Sequence, residues 1–398
     1  MKYNFDEIVQ RRGTDSLKWN SPEGNDVLPM WVADMDFQTL PEVIEALSNR
    51  AQQGIFGYNT IPDAFYEAII SWWQLKHNYT LKRDTILPTT GVISTLSAII
   101  RVLTADTDKV IVQTPSYNHF FILLNKCKRE VVSNELVESN GVYTIDFEDL
   151  EAKAADKDTT VLILCNPHNP IGRAWTEEEL RKIALICKRH NVTIISDEIH
   201  ADLVYKGNTY TPFQAIAEKH DMSAVSCASP CKTFNISSLQ VSFMVTDNMI
   251  LKEKVQYMLE MQGNNMFNPF AVEALITAYN NGSEWVEELK DYLYDNYLFL
   301  SQFCKDNLPE LKVSELEATY LVWLDCRALA KTSEELSELL IEEEKLRVNP
   351  GNMYGASGEG FLRINIACPR QLLKDGLLRL QKVYEGLASD LHLSSLPS

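Results

Sequence analysis

From residue 86 to about residue 245, short apolar runs alternate with stretches of helical period. The runs are "VIVQ" (110–113), "VLILC" (161–165), "VTIIS" (192–196), "AVSCAS" (224–229) and "VSFMV" (241–245). A strand with one wet face alternates apolar and polar residues; a run apolar at successive positions is covered on both faces. Helical patterns lie between the runs. In "TEEELRKIALICKRH" (176–190), Thr176 is the N-cap and Glu179 follows three residues later, the pattern of a capping box. Strands covered on both faces and separated by helices predict an α/β domain built on a mainly parallel sheet.

The flanks read differently. The first forty residues are mainly irregular, and helices are expected at 41–53, with Pro41 at the start, and at 62–77. A long amphipathic stretch at 283–307 reads as a connecting helix. It is followed by "TYLVWLDC" (319–326), a helix near 332–345, "FLRINIA" (361–367) and a last helix near 369–386, with a frayed tail. This second pattern predicts a smaller α+β domain. The expected division is an N-terminal segment, 1–47, joining the small domain; a large domain, 48–285; and a small domain, 286–398. There is no internal repeat and no low-complexity tract.

Composition narrows the partners. The chain has 398 residues, 45% hydrophobic and 23% charged, with a net charge of −18. Such a surface repels phosphate backbones and anionic lipid, so neither nucleic acid nor membrane is an expected partner. The N-terminal residues have no apolar core behind their charges, and no run reaches the roughly 18 apolar residues of a membrane span. The eight cysteines form no Cys-x-x-Cys pair, and several sit in apolar runs, which reads as reduced, buried thiols of a cytoplasmic protein.

In an open α/β sheet the site lies at the carboxyl ends of the strands. Four runs end in polar clusters: "VIVQ" in Thr114-Pro115-Ser116-Tyr117, "VLILC" in "NPHNPIG" (166–172), "VTIIS" in Asp197-Glu198-Ile199-His200, and "AVSCAS" in Pro230-Cys231-Lys232. Singly, each has a bland reading: a packed turn tyrosine, an Asn-Pro turn, a solvated acidic pair, a surface lysine. Together they bring a lysine, a carboxylate, an amide and an aromatic ring to one sheet edge. A lysine in a desolvated site loses its proton readily and attacks carbonyls, and its Schiff base with pyridoxal phosphate is one such use. That cofactor needs a carboxylate at its pyridine nitrogen, a donor at its phenolic oxygen, a flat surface for its ring and backbone N–H groups for its phosphate. Asp197, Asn169 and Tyr117 suit the first three needs. "TTGVISTLSAIIRVL" (89–103), where Gly91 precedes a helix, suits the fourth.

The ordered set "NPHNPIG", "SDEIH", "SPCKTFN" and "FLRINIA" resembles the fold-type I pyridoxal phosphate enzymes, the aspartate aminotransferase superfamily, over nearly the whole chain. "LPMWVADMDFQTLPEVIEAL" (28–47), "FGYN" (56–59) and "LCNPHNPIGRAW" (164–175) are similar to the cystathionine β-lyase and cystalysin-like C–S lyases, the MalY/PatB group. The resemblance implies that Lys232 carries the cofactor as a Schiff base, Asp197 pairs with the pyridine nitrogen, Asn169 and His200 serve the phenolic oxygen, and Tyr117 stacks on the ring and takes part in catalysis. Gly91, Val92 and Ser229 would hold the phosphate, and Tyr58 would reach the phosphate of a second subunit in a homodimer. Arg363, with Asn169 and Ala33, would bind the substrate, Arg363 gripping its α-carboxylate.

Four positions depart from the pattern. Gln240 stands where an arginine is usual, Ser238 where glycine is common, Asn118 where some members have a second aromatic, and Cys231 where serine or threonine is frequent. The implied reaction is β-elimination from cystathionine, cysteine or related S-conjugates to a thiol, pyruvate and ammonia, in methionine and cysteine metabolism. The alternative is an aminotransferase of the same fold. Three further readings fare worse. "SDEIH" looks like a nucleotide-motor box but lacks the upstream phosphate loop. A metal site at Asp197, Glu198, His200 and Asp202 has no supporting motif. A regulatory partner surface is not legible in one sequence.

Overall fold

The apolar runs assemble into a seven-stranded sheet in the computed structural model, which describes residues 2–20, 22 and 24–394, with side chains as far as residue 388. The strand order is Ile86–Thr89, Ser242–Val245, Ala224–Ala228, Thr193–Asp197, Thr159–Cys165, Lys109–Thr114, Glu130–Glu135. The last five pair in parallel. Ser242–Val245 runs antiparallel to both its neighbours, so Ile86–Thr89 points the same way as the parallel set.

Period-two alternation sorts the strand residues between two cores. Val110, Val112, Val161, Ile163, Ile195 and Val225 pack with Leu96, Ile99, Phe120 and Val255 of the helices on one face. Ile111, Leu162, Leu164 and Ile194 pack with Leu150, Leu180, Ile183 and Ile216 on the other. This double burial is why the runs are apolar throughout. The helix Glu177–His190 begins with the capping box formed by Thr176 and Glu179.

Two strands lie outside the apolar runs, and both are edges. Glu130–Glu135 is polar and largely uncovered, so its hydrophobic signal is weak. Ile86–Thr89 contains Pro88, which an edge strand tolerates because no neighbour needs its missing N–H.

The helix Ser283–Asn307 is 25 residues long and contains the boundary expected at 285/286. Beyond it, Lys312–Val313, Leu321–Asp325, Phe361–Asn365 and Asn349–Pro350 form an antiparallel sheet in that order. Its register sets Trp323 and Asn349 on either side of Arg363. The N-terminal segment joins this part of the molecule, because Leu28–Pro29 pairs in parallel with Leu346–Arg347. The last helix, Arg370–Ser394, runs past the end expected near 386; residues 395–398 of the expected frayed tail lie outside the described residues. All eight cysteines are free and buried. No helix among the described residues is long and apolar enough to cross a membrane.

Candidate active site

The carboxyl ends of the parallel strands open into a cavity of about 310 Å³. Each wall follows directly from a strand: Tyr117 after Lys109–Thr114, Asn169 after Thr159–Cys165, Asp197 and His200 at the end of Thr193–Asp197, and Lys232 after Ala224–Ala228. Gly91, Val92, Ser229 and Ala33 complete the set of expected residues in the cavity wall. Arg363 lies behind Asn169 instead of in that wall, and Tyr58 is 95% exposed on the surface of its own chain.

Lys232 sits in the turn after its strand, where its Nζ donates to the carbonyl of Ala33 at 2.6 Å. Burial pushes its amine below the ordinary lysine range. Asp197 is 3% exposed and accepts the Ile199 N–H at 3.2 Å. Burial pushes this carboxyl up to about 7, against the opposing pull of that N–H and of the Lys232 charge. Water is gone from around the group, and one N–H does not replace it. His200 is pushed down to about 3, by burial first and then by Lys232 and Arg363, so its ring is neutral; its Nδ1 has no partner.

Asn169 Oδ1 accepts from Arg363 Nη1 at 3.1 Å. Arg363 is buried among neutral acceptors. Its Nη2 donates to the Trp31 carbonyl at 2.7 Å, its guanidinium lies 5.0 Å from the centre of the Tyr354 ring, and its Nε has no acceptor. A buried guanidinium without a carboxylate is costly unless an anion comes to it. Tyr117 caps the start of the helix Asn118–Lys126, and its ring stacks on His119 at 5.0 Å between centroids.

The end of the cavity suited to phosphate is made of neutral donors. Gly91 precedes the helix Val92–Leu103 at φ +140°, a conformation side chains disfavour, and brings the backbone to the cavity wall. Its own N–H already donates to Ser242 Oγ at 2.8 Å. Ser229 Oγ likewise donates to the Val241 carbonyl at 2.6 Å. The donors that remain are the first-turn N–H groups of Val92, Ile93 and Ser94, which an α-helix cannot satisfy internally. Gln240 and Ser237 border the same space, so the usual arginine is replaced by neutral groups.

The other titratable residues of "SDEIHAD" point elsewhere. Glu198 accepts from Ser196 Oγ and the Phe213 N–H at 2.9 and 2.8 Å. Asp202 accepts from Trp72 Nε1, His77 Nε2 and Thr233 Oγ1 at 2.8, 3.0 and 2.8 Å. Among the described residues no cluster of three His, Cys, Asp or Glu side chains could hold a metal ion.

These observations fit a phosphorylated pyridine aldehyde. Asp197 is a buried carboxyl short of a cation, Lys232 an amine readied to lose its proton, and the start of Val92–Leu103 a phosphate-sized set of free N–H groups. Sequence reading missed Tyr320, whose OH donates to the Ala33 carbonyl at 3.0 Å, together with Thr90, Ile93, Ser94, Cys165 and Asn264 in the cavity wall. Ile93 and Ser94 had a signal, since first-turn N–H groups follow from the placement of Gly91. Tyr320 had none, because strand registers set its position.

Residues 25–380 match the family described as aminotransferase class I and II. The chain is 40% identical to cystathionine beta-lyase PatB of Bacillus subtilis over 95% of its own length and 99% of the relative's. It is 33% identical to protein MalY of Escherichia coli, over 95% and 98% of the two chains. The crystal structure of cystalysin from Treponema denticola, which contains a pyridoxal 5'-phosphate cofactor, superposes with a TM-score of 0.94 at 32% identity, over 97% of this chain and all of that one.

Proposed function

Because the chain belongs to the aminotransferase class I and II family, we propose that it is a pyridoxal phosphate-dependent carbon–sulfur β-lyase. Its substrate is L-cystathionine, L-cysteine or a related cysteine S-conjugate, and its products are a thiol, pyruvate and ammonia. The observation that carries the choice of reaction is the full-length likeness to cystathionine beta-lyase PatB. The cavity supports the cofactor.

When bound, the cofactor supplies a carbonyl that condenses with amines and an aromatic ring that takes up the electron pair left at the substrate Cα. Lys232, whose burial weakens its hold on a proton, would condense with that carbonyl and, once the substrate amine has displaced it, would take the Cα proton at Nζ. Asp197 would hold a proton on the ring nitrogen, an ion pair that would return its carboxyl to the charged form. Asn169 has its Oδ1 occupied by Arg363, which leaves its Nδ2 hydrogens for the phenolic oxygen. Arg363 retains Nε–H and the second hydrogens of both terminal nitrogens for the substrate carboxylate. Loss of the Cα proton and of the Cβ–S bond gives a thiol and an enamine, which water hydrolyses to pyruvate and ammonia.

A homodimer completes the site in this reading. Tyr58 and its exposed neighbours Ile55 and Phe56 form an uncovered apolar loop, with Phe56 stacked on Phe270 at 5.8 Å, which supports a second copy as its cover. The division at 47 and 285 and a cytoplasmic location belong to the same proposal. Purified protein is given L-cystathionine with and without an added oxo acid. Pyruvate and thiol without an acceptor are expected; strict dependence on the acceptor would make the chain a transaminase instead.

A further inference from the structure

The segment 30–37 forms neither helix nor strand, yet nearly all of its carbonyls are engaged. It lies between the two groups that must act on one substrate: the Trp31 carbonyl accepts from Arg363, and the Ala33 carbonyl from Lys232. Three asparagines bond it: Asn349 Nδ2 donates to the Trp31 carbonyl at 3.1 Å, and Asn235 and Asn365 each take two carbonyls, one from each side of the site. Asn235, three residues after Lys232, accepts the Met35 N–H at 3.0 Å and donates its Nδ2 hydrogens to the carbonyls of Met35 and Phe37 at 3.0 and 2.9 Å. Asn365, two residues after Arg363 on the same strand, donates its Nδ2 hydrogens to the carbonyls of Val32 and Asp34 at 2.5 and 2.6 Å. Its own N–H donates to Met30 O at 2.9 Å. A primary amide suits this task because it has two donors and an acceptor in one plane and can satisfy backbone that no strand pairs.

We propose that Asn235 and Asn365 are positioning residues, which clamp the segment 30–37 between the nucleophile and the carboxylate-binding arginine and so fix the separation of Lys232 and Arg363. Neither side chain need touch the substrate. The amide of Asn235 ties the segment to the lysine turn and that of Asn365 ties it to the arginine strand. The proposal rests on the lyase reading only for what Lys232 and Arg363 do, not for the clamp itself.

The experiment compares purified holoenzyme with the N235D and N365D variants. Hydrogen exchange is read across residues 31–37, and kcat and KM for L-cystathionine are measured per bound cofactor, counted by absorbance. Aspartate keeps the size of asparagine and tolerates the positive φ of 55° at position 235. It replaces the donors with acceptors facing carbonyls. Exchange across 31–37 is expected to rise about tenfold in each variant, the size that one or two net hydrogen bonds supply. N365D is expected to raise KM about tenfold with kcat little changed, because Arg363 loses its alignment, and N235D to lower kcat by a similar factor at constant KM. Unchanged exchange in either variant, or an equal fall in kcat at constant KM in both, overturns the proposal. Should N365D not fold, N365A removes the donors without adding charge and carries the same expectation. A chain that makes no pyruvate but loosens at 31–37 in both variants refutes the lyase reading and leaves the clamp standing.

Discussion

Asp197 and Asp202 are five residues apart, both buried, and opposite in behaviour. Asp197 faces the cavity with one backbone N–H, and burial pushes it up to about 7. Asp202 lies behind the cavity with three side-chain donors. These, His77 foremost, hold its carboxyl below the usual range in spite of burial. Depth is therefore not what separates the site from the frame. A buried charge that the fold has satisfied is part of the frame; one left short of partners is waiting for a ligand. Lys232 and Arg363 are on the same side of this division as Asp197. Asp202 serves the site at second hand, since Thr233 next to Lys232 is one of its donors.

The largest effect expected from this division is at Lys232. Lys232→Ala should lower turnover by about 10⁴-fold and abolish the visible absorbance of the holoenzyme, with little change in unfolding temperature. Full activity in that variant, measured as pyruvate released, would end the assignment. Arg363→Ala should raise KM for the amino acid by about 30-fold with a smaller loss in kcat, the magnitude of losing one buried partner of a charged pair. If neither constant moves, the arginine is structural and belongs with Asp202.

Asp202→Ala tests the other half of the comparison. It strands three donors, so chemical denaturation should show a loss of about 3 kcal/mol. Activity per folded molecule should fall far less than in Lys232→Ala. An unfolding midpoint equal to that of the parent would remove the distinction. The remaining test is of pH dependence. With the cofactor stripped, the folded protein holds the Asp197 proton more tightly than the unfolded chain does. Its contribution to stability is whole below the ordinary carboxylate pKa of about 4 and is lost as pH rises to about 7. Asp197→Asn should remove this loss, a slope of at most about 1.4 kcal/mol per pH unit. Glu198, pushed to about 7 as well, adds a loss of the same sign that both proteins keep. Asp202 runs the other way, its contribution being lost on acidification, and the substitution at 197 should leave that acid limb unmoved.

Much of this was legible beforehand for an identifiable reason. Residues that end strands in a parallel sheet share one edge, so Lys232, Asp197, Asn169 and Tyr117 could be placed together from the order of apolar runs. Gly91 before an amphipathic helix marked a set of free N–H groups. The edge strands were not legible, because exposure removes the hydrophobic signal of Glu130–Glu135 and Ile86–Thr89 is four residues long and broken by Pro88. Period and strand order did not bring Arg363 to Asn169, since 194 residues separate them and only packing closes that gap; only the family resemblance put both at the substrate.

The sequence by itself determined which residues end strands and which chemistry they bring, because secondary structure and burial are written in local period and residue type. Tertiary structure alone decided which of two similar aspartates was satisfied, which donors at Gly91 and Ser229 were already taken, and that Asn235 and Asn365 grip one irregular segment. Those outcomes depend on hydrogen bonds between distant residues, and a bond of that kind leaves no periodic trace in the chain.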